Sequence, residues 1–167
     1  MKCQKCRDKA VIKIARANAK YCAACFNAFF VSQVRRGLER EKMASRSDKI
    51  LIAVSGGKDS LALWHVLSRL GYETAGLHID LGIGEYSASS RRYVELFAER
   101  ENLEVYSYSL KEAYKMGILE LAGETDRSAC SACGTVKRYL FNKVASDKGF
   151  PVLATGHNLD DEAARLL

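Results

Sequence analysis

Lys49-Ile50-Leu51-Ile52-Ala53-Val54 runs without a gap into Ser55-Gly56-Gly57-Lys58-Asp59-Ser60, and these residues decide the fold. After its lysine the first half is wholly apolar, as a strand buried on both faces of a parallel sheet requires. Gly56 and Gly57 permit positive φ and let the main chain approach an anion closely. Leu61, Leu63, Trp64, Leu67 and Leu70 then mark a helix. A strand feeding a glycine turn that opens a helix aims backbone N–H groups and the positive helix end at one point, which makes a phosphate site. Ser55 and Ser60 add hydroxyls and Lys58 a point charge. The turn is not a Walker A loop, because position 52, five before Gly57, is Ile.

Ser55–Ser60 is similar to the signature of the PP-loop ATP-pyrophosphatase superfamily. That resemblance implies a loop holding the pyrophosphate end of ATP, cleavage between the α- and β-phosphates, and an adenylated substrate. Downstream, strands are expected at 50–54, 73–80, 103–109 and 151–155. Helices are expected at 59–70, near 87–101, from Ser109 (with Glu112 as a capping box) and near 132–147. A glycine-bearing loop is expected at 122–129, and a further helix begins at Asn158. This alternation predicts an α/β fold, a doubly wound parallel sheet, and the PP-loop resemblance implies the adenine nucleotide alpha hydrolase-like form of it. Ligands in such a sheet bind at the carboxyl ends of the strands. Four features fall there: the Ser55 loop, Leu77-His78-Ile79-Asp80, the loop after 103–109, and Ala154-Thr155-Gly156-His157. Gly82-Ile83-Gly84 is followed by Ser87 where a dinucleotide fingerprint needs its third glycine.

Upstream, Cys3-x₂-Cys6 and Cys22-x₂-Cys25, 15 residues apart, form a four-thiolate zinc pattern. A unit of residues 1–26 is too short to bury a core, so the metal would supply its folding energy. Residues 27–48 read as a basic amphipathic helix and linker, with Phe26, Phe29, Phe30, Val34 and Leu38 at helical spacing. Residues 49–167 read as the N-terminal part of a catalytic domain that continues beyond them.

The 167 residues are 48% hydrophobic and 28% charged, the composition of a globular chain. The net charge of +6 is uneven: residues 1–49 hold 13 Lys and Arg against 4 Asp and Glu, the remainder 13 against 16. An anionic partner is therefore expected at the N-terminal segment. No window suits a membrane span and the first residues lack a signal-peptide core, so cytoplasmic residence is expected. Six cysteines in that compartment suggest metal or redox sites. Cys130-Ser131-Ala132-Cys133 opens a helix, where the macrodipole favours thiolates. The pair alone is compatible with a redox or persulfide couple, half of a second zinc site, or part of an iron–sulfur cluster.

The knuckle, the SGGKDS loop, Cys130-Ser131-Ala132-Cys133-Gly134-Thr135-Val136-Lys137-Arg138 and Gly156-His157-Asn158-Leu159-Asp160-Asp161 stand in register, and together they resemble the TtuA/TtcA family of tRNA 2-thiolation enzymes. The knuckle is similar to the TtuA branch, which acts on the T-loop 5-methyluridine (tRNA nucleotide 54). The resemblance implies ATP, Mg²⁺, Zn²⁺ and a 4Fe-4S cluster on three cysteines, of which Cys130 and Cys133 match two. It implies that Ala53 to Ser60 hold the nucleotide and that His78 and Ile79 line the adenine pocket. Lys137 is expected at the α-phosphate, Asp161 as a Mg²⁺ or substrate-facing group, and Gly156 and His157 in the ATP pocket. Asp59 is expected to orient the loop or the metal, and His65 to pack. Arg35, Arg36, Arg91 and Arg92 are candidates for phosphate-backbone contacts. Expected partners are tRNA, a ubiquitin-like sulfur carrier protein as donor, and a second copy in a homodimer. Rival readings are the same chemistry on an anticodon wobble uridine or cytidine, an ammonia-using synthetase, and a zinc-bearing tRNA-binding module with a relic ATP site.

Overall fold

The computed structural model describes residues 1–164 and divides into two compact units, Met1–Ser45 and the residues from Arg46 onward. In the first unit β1 (Ile12–Ile14) pairs antiparallel with β2 (Ala19–Tyr21). A 3₁₀ turn over Ala15–Ala17 joins them and closes on left-handed Asn18. α1 (Ala23–Arg40) begins earlier than the expected Phe26, because the second CxxC is itself the first helical turn. Cys22 is its N-cap, its Sγ accepting from the Cys25 N–H at 3.5 Å. Cys3, Ala19 and Tyr21 are buried, with Phe26 and Phe29 packed on them. The rings of Tyr21 and Phe29 stack at 5.2 Å. No residue of α1 is fully buried.

The second unit holds a four-stranded sheet, all parallel, in the order β5-β4-β3-β6. The strands are β3 (Lys49–Ala53), β4 (Glu73–Asp80), β5 (Glu104–Ser109) and β6 (Val152–Thr155). The helices are α2 (Lys58–Arg69), α3 (Gly84–Glu101), α4 (Leu110–Tyr114), α5 (Ile118–Glu124), α6 (Ala129–Asp147) and α7 (Leu159–Ala164). The doubly wound α/β expectation holds. On one face Leu51, Leu77 and Ile79 pack with Ile118, Ala122 and Leu140 of α5 and α6. On the other, alternation along β4 places Gly76 under Trp64 of α2. A Cβ at Gly76 would lie 2.5 Å from the indole, so only glycine leaves room for that ring. Trp64 is fully buried, 5.4 Å from the Phe97 ring of α3, and its Nε1–H donates to Thr74 Oγ1 at 3.2 Å.

Four local expectations shift. The stretch 122–129 is not all loop, because Ile118 and Ala122 give α5 a buried stripe despite Gly123. α6 starts at Ala129, with Ser128 Oγ accepting from the Ser131 N–H, which sets Cys130 in the first turn. α3 starts at Gly84. His65 does not simply pack: its side chain is 44% exposed and its Nδ1 sits 3.2 Å from the Glu101 carboxylate.

Candidate active site

β3 is where the connections reverse, running outward to β4 and β5 and then back to β6 on its other side. The register pairs Ala53 with both Leu77 and Thr155, so β3 and β6 end level while β4 runs on to Asp80, and a crevice opens above the two shorter ends. A cavity of about 660 Å³ fills it, within the range of small-molecule sites. Val54, Ile79, Leu81, Phe141 and Leu153 supply its apolar lining, and Ser55, Gly57, Asp59 and Ser60 its loop side.

The loop is tied to itself. The Ser55 N–H donates to Ser60 Oγ at 3.3 Å, and that hydroxyl donates to the Gly57 carbonyl at 2.9 Å. Gly57 is the N-cap of α2, whose first N–H groups have no intrahelical acceptor and open into the crevice. Gly56 has φ +79°, and a Cβ there would meet the Ser90 carbonyl oxygen at 2.7 Å. Ser90 Oγ–H donates to the Ser55 carbonyl, so α3 braces the back of the loop. Gly156 closes the other side: a Cβ would lie 2.8 Å from the Ser60 N and Cα. The turn after β6 therefore lies directly on the backbone of α2.

The sequence-expected residues divide. Ala53, Val54, Ser55, Gly57, Asp59, Ser60, His78, Ile79, Lys137, Gly156, His157 and Asp161 line the cavity. Gly56 and Lys58 line a different groove, between α2 and α3. Lys58 Nζ is 2.8 Å from the Asp59 carboxylate, whose hydrogen bond and charge raise the lysine above its ordinary value, with Asp161 adding to the effect. Cys130 and Cys133 lie outside the cavity lining, one to two turns of α6 before Lys137; Cys130 is exposed and Cys133 half-buried. Asp161 Oδ2 accepts from the Asn158 N–H at 2.8 Å, while Asn158 Oδ1 accepts from the N–H groups of Asp160 and Asp161. His78 is 3% exposed, with Nδ1 3.0 Å from the Val54 carbonyl. A carbonyl only accepts, so the Nδ1–H donates in this bond. Among the described residues the Nε2 of the same ring is buried without a partner.

Several lining residues were not singled out from sequence: Tyr86, Ser87 and Ser90 of α3, and Arg138, Phe141 and Asn142 of α6. Phe141 follows Lys137 by four positions and Asn142 follows Arg138 by four, a helical spacing that could have found them. The α3 residues carried no comparable signal, since only the βα register brings that first turn to the loop.

In the first unit the Sγ atoms of Cys3, Cys6, Cys22 and Cys25 all lie within 4.8 Å of one another. Cys6 is 3.5 Å from Cys22 and 3.6 Å from Cys25. A tetrahedron with Zn–S bonds of about 2.3 Å needs S···S spacings of about 3.8 Å, so the set fits zinc. The backbone N–H groups of Lys5 and Cys25 donate to Cys3 and Cys22 Sγ, as thiolates favour. Burial pushes the Cys3 thiol up, but hydrogen bonds from the backbone at Cys6, Cys22 and Lys5 outweigh it and bring it to about 6.

The chain belongs to the PP-loop family: residues 30–167 match its domain, described as "PP-loop domain". Residues 2–27 match the "2-thiouridine synthetase TtuA, N-terminal LIM domain". Among curated relatives, a tRNA-5-methyluridine(54) 2-sulfurtransferase of Thermus thermophilus is 51% identical over 99% of this chain and 52% of its own length. Its namesake from Pyrococcus horikoshii is 44% identical over 100% and 53%. A solved structure, the U34-tRNA thiolase NcsA from Methanococcus maripaludis with its [4Fe-4S] cluster, superposes with a TM-score of 0.87 at 27% identity, over 99% of this chain and 56% of that one. The chain spans about half the length of the curated relatives it matches. For a cluster held by three cysteines the 167 residues supply two thiolates, Cys130 and Cys133, since the other four cysteines form the knuckle. The donor set is incomplete within this stretch.

Proposed function

We propose that this chain carries the ATP site and zinc knuckle of a tRNA 2-sulfurtransferase acting on the 5-methyluridine at tRNA nucleotide 54. The carrying observation is that the phosphate loop, Lys137 and Asp161 converge on one cavity at the switch point of the sheet. The 51% identity to a relative named for that reaction supports the choice of nucleotide. In this reading the N–H groups at the start of α2 hold the phosphates of ATP and the apolar floor takes the adenine. Asp59 and Asp161 would hold a Mg²⁺ ion, which would offset the phosphate charge. The uracil O2 attacks the α-phosphorus and pyrophosphate leaves, while Lys137 stabilises the charge that builds on the α-phosphate. The resulting C2–O–AMP bond then breaks as a sulfur nucleophile adds at C2 and AMP departs. Cys130 and Cys133 would hold part of a 4Fe-4S cluster, which would supply the sulfur when bound. The donor upstream is a ubiquitin-like sulfur carrier protein, the protein resides in the cytoplasm, and a homodimer is the assembly.

Native protein, purified without oxygen and given ATP, tRNA and a sulfur source, is expected to form AMP and 2-thio-5-methyluridine. The Lys137→Ala and Asp161→Ala variants are expected to lose at least about 100-fold in rate. Thiolation at full rate by Lys137→Ala would overturn the assignment. A second reading, the same chemistry on the wobble uridine, is supported by the likeness to the U34-tRNA thiolase. Locating the 2-thio nucleoside in the tRNA separates the two.

A further inference from the structure

We infer that Tyr86 is the stacking platform for the uracil ring of the RNA substrate at the mouth of the cavity, an inference that rests on the proposed thiolation. Tyr86 lines the cavity yet is 67% exposed, so its ring stands at the opening rather than in the floor. Among the described residues its side chain makes no ring contact and no hydrogen bond. The backbone beneath it is held firmly. Asp80 Oδ1 accepts from the Gly82 N–H at 2.8 Å, Ser87 Oγ accepts from the Ile83 N–H at 3.0 Å, and Gly82 is packed so closely that a Cβ would meet the Lys111 side chain at 2.8 Å and the Gly117 Cα at 3.1 Å.

An exposed ring on a fixed helical turn, with two side-chain torsions to order, makes a large flat contact at low entropic cost. The proposed chemistry needs such a contact. Attack on the α-phosphorus requires the base inside the crevice, and a base removed from its RNA stack is held by stacking and by hydrogen bonds to its edge. Arg138 and Asn142 line the same cavity from α6. Arg138 offers a guanidinium for the ribose-phosphate, and Asn142, whose Nδ2 donates to the Arg138 carbonyl at 3.0 Å, keeps its second N–H and its Oδ1 for the uracil edge. The adenine has its own place in this arrangement, the buried apolar floor beside His78.

The test uses a stem-loop RNA presenting 5-methyluridine together with a non-hydrolysable ATP analogue. Tyr86→Ala is expected to weaken RNA binding about 5- to 100-fold, the worth of one base on an aromatic ring, while affinity for the analogue changes less than about twofold. Tyr86→Phe, which keeps the ring, is expected to bind RNA within about twofold of the parent. In Tyr86→Trp the added fluorescence is expected to be quenched by RNA containing the target base and not by an RNA abasic at that position. Tyr93→Ala, on the same helix face but outside the cavity, leaves each readout unchanged. Undiminished RNA binding by Tyr86→Ala would overturn the inference. Equal loss of analogue and RNA affinity would assign the ring to adenine instead and overturn it too. If the parent chain binds the analogue but no RNA, the thiolation reading itself fails, which distinguishes the two failures.

Discussion

The two units of this chain reach order by opposite routes. Among the described residues the first buries three besides Ala10, two of them small, and brings four sulfurs to metal-ligand spacing. The second buries Ile50, Leu51, Ile52, Trp64, Leu67 and Leu77 almost completely under helices on both faces. A unit with a thin core depends on its metal, whereas a sheet covered on both sides depends on apolar area removed from water. One unit should therefore respond to chelators and the other to cavities.

The largest expected effect is zinc removal. A strong chelator, or Cys3→Ser, is expected to abolish amide-exchange protection over residues 1–26 while β3 to β6 keep theirs. Equal loss in both units would break the contrast. Next comes the core: Trp64→Ala is expected to cost about 3–5 kcal/mol in denaturant unfolding of the second unit, because a fully buried ring leaves a cavity over Gly76. Zinc content should stay at one per chain. Smaller is the effect of Gly156→Ala, whose Cβ would press on the Ser60 backbone. It is expected to weaken ATP-analogue binding about tenfold by calorimetry, equivalent to about 1.4 kcal/mol. Smallest are the exposed ion pairs. Lys49, Lys58 and Lys143 are raised by hydrogen bonds to Glu73, Asp59 and Asp147 respectively. A raised lysine stabilises fully below its unfolded value and loses that contribution only as pH climbs through the folded one, above 10.5. These pairs should therefore leave Tm flat between about pH 6 and 9; a Tm that drops in that window on Lys143→Ala alone would contradict this.

The same contrast separates what could be read in advance. The knuckle was legible residue by residue, because two CxxC pairs at metal spacing admit few geometries. The phosphate loop was legible for a similar reason: strand, glycines and helix are contiguous, so local sequence contains the whole device. Lys58 was harder to read. It belongs to the motif, yet its side chain turns to Asp59 and the outer groove rather than into the cavity. The end of α5 shows the limit of composition, since the glycine-bearing stretch 122–129 read as loop although Ala122 is helical and buried against a tertiary neighbour.

By itself, then, the sequence determined the parallel α/β order of elements, the four-sulfur knuckle and the position of the anion-binding turn, all set by spacing within single segments. Tertiary structure alone decided that α3 braces the loop through Ser90, that Gly156 seats the turn after β6 on α2, and that Tyr86 and Arg138 line one cavity. Those contacts join elements separated by 35 to more than 90 residues. They depend on sheet order and helix crossing, which no local pattern encodes.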